Sequence, residues 1–70
     1  MPNFCVNENA QPSGEHEVHN IDAGYSYLPL PENRYHLGWF EHCSGAVCEA
    51  GKYFSNIDGC TYCASACHHR

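Results

Sequence analysis

Along most of this chain apolar and polar residues alternate in short runs with a period of two. Glu15 to Ile21 places His16, Val18 and Asn20 on one face and predicts a strand. Tyr25-Ser26-Tyr27-Leu28 predicts a second short strand with both tyrosines on one side. Arg34 to Cys43 predicts the longest strand. Tyr35, Leu37, Trp39 and Cys43 share one parity there, Glu41 breaks it, and Gly38 marks a bulge. Trp39 and Phe40 are the largest apolar groups of that stretch, so Trp39 is expected in the core. Ala46 to Glu49 and Lys52 to Ser55 read as a hairpin across Ala50-Gly51.

The punctuation between these runs is clear. Pro12-Ser13-Gly14 and Asp22-Ala23-Gly24 are turn sequences, and Pro29-Leu30-Pro31-Glu32-Asn33 excludes a central strand. Residues 1 to 5 read as a short tail anchored by Cys5.

The period changes at the C-terminus. Cys60, Cys63 and Cys67 stand at i, i+3 and i+7, one stripe of an α-helix. Asp58 is a fair N-cap, and His68, His69 and Arg70 suit the negative end of the helix dipole. The pattern predicts a helix over 59–68. A helix this short is marginal alone and needs tertiary partners. The other cysteines, Cys5, Cys43 and Cys48, are the natural candidates, each pairing with one helix cysteine. Spacing alone does not choose the pairing. The expected fold is a small disulfide-rich α+β domain over residues 1–70, a short antiparallel sheet with one C-terminal helix stapled by three disulfides.

Composition supports that class. Seventy residues form one domain, and a chain this short buries a modest share of its surface and usually needs staples. Six cysteines in that length approach the density of disulfide scaffolds and point to an oxidising, secreted setting. The opening Met1-Pro2-Asn3-Phe4-Cys5 is no signal peptide, so Met1 is read as a start residue placed on a mature domain. No apolar run is long enough to span a membrane, and no Asn-x-Ser/Thr sequon occurs.

Charge narrows the partners. The formal net charge is −5, with Arg34, Lys52 and Arg70 the cations. Without a basic patch, nucleic-acid binding and attachment to anionic membranes are not expected. Six histidines make the field pH-dependent, since protonating all of them would carry the charge to +1.

Chemistry is harder to place. An even number of cysteines in a disulfide scaffold leaves no free thiolate nucleophile, and no carboxylate pair has a cleft around it. No enzyme activity and no cofactor are expected. Zinc is the first alternative: Cys43-x4-Cys48 with Cys60-x2-Cys63 offers four thiolates to one ion, as in an intracellular zinc-stabilised interaction module. The second alternative is a histidine-based site or pH sensor at His16 and His19.

Recognition is the leading expectation. The segment Tyr25 to Tyr35 is rich in tyrosine and leucine and stiffened by Pro29 and Pro31. Aromatic residues and arginine are enriched at binding hot spots, and preset proline dihedrals reduce the cost of ordering. Tyr25, Tyr27, Leu28, Leu30, Arg34 and Tyr35 are the candidate contacts. The expected protein is a secreted monomeric binder (a toxin, a host-directed effector or an inhibitor) that occupies the surface of an extracellular or host protein.

Overall fold

A computed structural model describes residues 2–24 and 28–69. Four strands form one mixed sheet: β1 (Asn3–Asn7), β2 (His16–Asn20), β3 (Arg34–Trp39) and β4 (Ile57–Gly59). Their order is β3-β1-β2-β4, with β1 antiparallel to both neighbours and β4 parallel to β2. One α-helix occurs among the described residues, α1 (Cys43–Ala50).

The N-terminal stretch is therefore a central strand and not a tail. Phe4 and Val6 point to the core beside Val18 of β2, while Cys5 points to the opposite face. Val6 and Val18 are fully buried. Each contributes roughly 1.5–3 kcal/mol by burial. The strand expected at Glu15 to Ile21 is β2, and the turn expected at residues 22–24 closes on Gly24, which adopts φ 84°.

β3 ends earlier than the sequence suggests, and its far end turns the other way. Val6 pairs with Tyr35 and Cys5 with His36, but Phe4 pairs with Gly38. One extra residue lies between these pairs, so the bulge expected at Gly38 is present, with Gly38 at φ 107°. The insertion reverses the parity beyond it. Trp39 pairs with Asn3 on the face away from the core and is 62% exposed, contrary to the buried position expected of it. Phe40 packs inward instead, edge-on to Phe4 with ring centroids 6.3 Å apart.

The hairpin expected over residues 46–55 does not form: its first half belongs to α1, and a turn over residues 51–53 follows. His42 caps α1, its Nδ1 accepting from Ser44 N–H at 3.1 Å. Cys43, Ala46 and Ala50 form its buried stripe, at i, i+3 and i+7. Gly45 lies against Phe40, and an added Cβ there would stand 2.9 Å from the ring. Glu49 pairs with Lys52 at 3.0 Å beyond the last turn.

The helix expected at 59–68 does not form. After β4 the chain makes one turn closed by Ala64 N–H to Cys60 C=O, then a 3₁₀ turn over Ser65–Cys67. Ala64 has φ −138° and ψ 44°, outside the helical region. Asp58 does not cap a helix. Its carboxylate accepts from His69 N–H at 2.8 Å and pairs with His68 Nδ1 at 3.2 Å, folding the tail back on β4. Gly59 permits that return, since a Cβ on it would stand 2.7 Å from Ala64 O and 2.8 Å from the Cys67 backbone.

The three disulfides expected from the cysteine count reduce to one. Cys43 and Cys67 are bonded, with Cα atoms 6.2 Å apart, tying the first turn of α1 to the C-terminal 3₁₀ turn. Cys5 is buried on the far face of the sheet, Cys48 is exposed on α1, and Cys60 and Cys63 lie near each other as thiols. No helix among the described residues is long and apolar enough to cross a membrane.

Candidate metal centre

The parallel pairing of β2 with β4 creates the most chemically distinctive place in the molecule. β4 runs beside β2 with Val18 opposite Gly59, and Cys60 N–H continues the ladder to Val18 C=O at 2.9 Å. The turn at residues 60–64 then swings Cys63 back to the end of β2. There its Sγ accepts from Asn20 N–H at 3.3 Å. His19 lies beside that bond, with Nδ1 3.5 Å from Cys63 Sγ.

Cys60 completes the group. The His19 ring nitrogen, Cys60 Sγ and Cys63 Sγ all lie within 4.8 Å of one another. One imidazole and two thiols from two chain segments are the donor types of zinc sites, and Cys60-x2-Cys63 has ligand spacing. Among the described residues this cluster has three donors.

Two further groups orient it. Glu17 Oε1 stands 3.6 Å from His19 Nε2, on the side of the ring opposite the sulfurs. A carboxylate at one ring nitrogen leaves the other to face a metal and raises its basicity. The Asn20 N–H bond to Cys63 favours the thiolate over the thiol.

Burial sets the resting protonation states. His19 is 2% exposed, and burial, with Arg34 as a lesser cause, lowers its pKa from the ordinary value. The imidazole is therefore neutral near pH 7 and able to bind metal. Burial pushes the Cys63 thiol up to about 12, with Asn20 N–H opposing and the Cys60 thiol adding. Metal binding here must release protons, so it strengthens as pH rises.

The expected site residues separate clearly. His16 and His19 project to opposite faces of β2 and do not share a site. His16 Nδ1–H donates to Asn7 C=O at 2.9 Å, and its ring stacks on Phe54 with centroids 4.6 Å apart. The four-thiolate set also divides: Cys43 is in the disulfide and Cys48 is exposed on α1, while Cys60 and Cys63 remain together and take His19 as their partner.

Of the candidate contact residues, Tyr25 and Tyr27 lie outside the described residues. Leu28 is half-buried and Leu30 is 61% exposed. Arg34 Nε–H donates to Pro29 C=O at 2.9 Å, which ties the proline segment to β3. Tyr35 packs inward, its ring centroid 5.0 Å from that of Tyr53 and 5.7 Å from that of Phe54.

The spacing of Cys60 and Cys63 marks the thiol half of the centre in the sequence. Nothing local marks His19 as their partner, because the contact spans 44 residues and depends on a parallel strand pair. Comparison with known proteins finds no matching family model, no matching curated protein and no matching solved structure.

Proposed function

We propose that this chain is a small non-catalytic binding protein organised around a zinc-class metal centre at His19, Cys60 and Cys63. The observation that carries the reading is the convergence of His19 Nδ1 on the two sulfurs, with Glu17 behind the ring. A metal there would join β2 to the turn after β4, a region with few large apolar side chains. Its binding energy would add directly to folding energy. Three protein donors leave one position of a tetrahedral ion to water or to a donor from a partner. Burial raises the pKa of the Cys5 and Cys63 thiols and so disfavours those two as nucleophiles, which need a thiolate near pH 7.

The test is cobalt substitution of the disulfide-intact protein. One equivalent of Co(II) should give thiolate-to-metal charge-transfer absorption, lost in His19→Ala and retained in His16→Ala. Absence of that absorption in the parent protein, or its loss in His16→Ala, would refute the centre.

A secreted partner-binding role is the second reading. The Cys43–Cys67 disulfide favours an oxidising setting, and Leu30, Trp39, Tyr53 and Tyr62 are each more than half exposed. Leu30→Ala and Arg34→Ala should weaken binding to a host or extracellular protein while leaving circular dichroism intact. Unchanged affinity in both would move the contact surface elsewhere.

A further inference from the structure

The disulfide corner is built like the metal centre. His42 Nδ1 lies 3.8 Å from Cys43 Sγ, and the His42 ring nitrogen and the sulfurs of Cys43 and Cys67 fall within 4.8 Å of one another. This is a second set of one imidazole and two sulfurs, here with the sulfurs bonded. A cleft of about 220 Å³ touches both sets, its lining including His42 and Cys43 of this one and Cys63 of the other.

We propose that reduction of the Cys43–Cys67 disulfide opens a second zinc site, formed by His42, Cys43 and Cys67. Three features support it. The donors sit at the ends of regular elements, His42 as the N-cap and Cys43 as the first residue of α1, and Cys67 as the last of a 3₁₀ turn. The change of span is small: a disulfide holds its sulfurs about 2 Å apart, and a tetrahedral zinc holds two thiolates about 3.8 Å apart. The imidazole is exposed at the cleft, so an ion can reach it. Coordination through Nδ1 replaces its contacts with Ser44 N–H and Ser44 Oγ, both on an exposed residue that water can satisfy.

The chemistry balances with a named reductant. A water-soluble phosphine attacks one sulfur, the S–S bond breaks, and water supplies the oxygen of the phosphine oxide and the protons of two thiols. Zinc then displaces both thiol protons and accepts a ring-nitrogen lone pair from His42. The staple between α1 and the C-terminal turn is kept, as a metal bridge in place of a covalent one. One sequence would in this way hold its tail under both oxidising and reducing conditions.

The experiment is zinc stoichiometry by native mass spectrometry. Protein is loaded with zinc and desalted, with the disulfide intact or after phosphine reduction, and far-ultraviolet circular dichroism is recorded on each form. The expected count is one zinc with the disulfide intact and two after reduction. In the reduced protein His42→Ala should weaken the second zinc at least tenfold and leave the first in place. His19→Ala should remove the other. Reduced His42→Ala that still holds two ions overturns the proposal, as does a reduced parent that gains none over the disulfide form. The Cys43→Ser, Cys67→Ser double variant guards against loss of fold: folded and limited to one zinc, it supports the site, while two ions in it would overturn it. A count of none with the disulfide intact and one His42-dependent ion after reduction would refute the His19 centre and retain this one.

Discussion

Strands β1 to β3 with α1 on one side, and the chain from β4 to His69 on the other, are held in place by different proportions of burial and specific links. One core runs through both regions, but the first supplies its large members: Phe4, Val6 and Val18, with Tyr35, Leu37, Phe40 and Phe54 around them. The second adds only Cys60, Ala64 and Cys67 to that core, all small, and its other buried side chain is the polar Asp58. That segment is positioned by named links: the Cys43–Cys67 bond, the Asp58 contacts to His68 and His69, and the Cys63 contacts to Asn20 and His19. Burial is non-directional and tolerates change of shape, whereas each of these links needs particular atoms in a particular place. The half that lacks apolar volume is also the half that gathers thiols and imidazoles. There they act as crosslinks, and the same atoms are available to a metal.

The contrast can be broken first in the core. Phe4→Ala removes a ring that is 2% exposed and packs edge-on to Phe40. It should cost about 3–5 kcal/mol. Hydrogen exchange should show the loss over β1, β2 and α1 together. Loss confined to β1 would mean that the sheet and helix do not form one cooperative unit.

Removing the staple should have a smaller and more local effect. The Cys43–Cys67 disulfide closes a separation of 24 residues. Its loss in Cys43→Ser with Cys67→Ser, measured without metal, should cost about 3 kcal/mol on the chain-entropy account. Exchange should rise most at residues 60–69 and least in β1. Equal deprotection of β1 would show that the second region supports the first.

The smallest effect is read by pH at two paired positions of the sheet, Cys5 and His19, the second of which also meets the thiol of Cys63. Burial raises Cys5, at the centre of the sheet, from 9.0 to about 11, against a smaller opposing effect of Arg34. In the unfolded chain the thiol ionises first, so the Cys5 contribution is complete below pH 9 and is lost as pH rises toward 11, by about 2–3 kcal/mol. The lowered pKa of His19 acts in the opposite direction. The unfolded imidazole takes its proton first, so its contribution is present above about pH 6.5 and declines as pH falls below it. Urea denaturation of metal-free protein across pH should show both losses. Cys5→Ala should reduce only the alkaline loss, and His19→Ala only the acid one. If Cys5→Ala leaves the alkaline loss unchanged, its burial is not the cause.

Much of the first region could be read from the chain. The alternation at Glu15 to Ile21, the turn at Asp22-Ala23-Gly24 and the bulge at Gly38 are local signals, and each has its counterpart in the fold. The errors arose where one spacing serves two structures. Cys43, Ala46 and Ala50 carry a helical stripe, but Val47 and the run from Lys52 to Ser55 resemble strands, and no Ser, Thr, Asp or Asn cap precedes Cys43. Its cap is a histidine nitrogen. Cys60, Cys63 and Cys67 have helical spacing, but Gly59 admits a closer backbone approach than a helix uses, and Asp58 finds the tail instead of a helix N-terminus.

Composition and pattern by themselves determined the class: a small cysteine-rich α+β domain with a net charge of −5 and only three lysine and arginine residues. They also marked Cys60 and Cys63 as a pair. Only the tertiary structure decided which cysteines bond, that Trp39 faces outward, and that His19 meets the two thiols. Those outcomes depend on strand order and register, and contacts between residues far apart in the chain follow from how the elements pack. No local periodicity encodes a parallel pairing of β2 with β4.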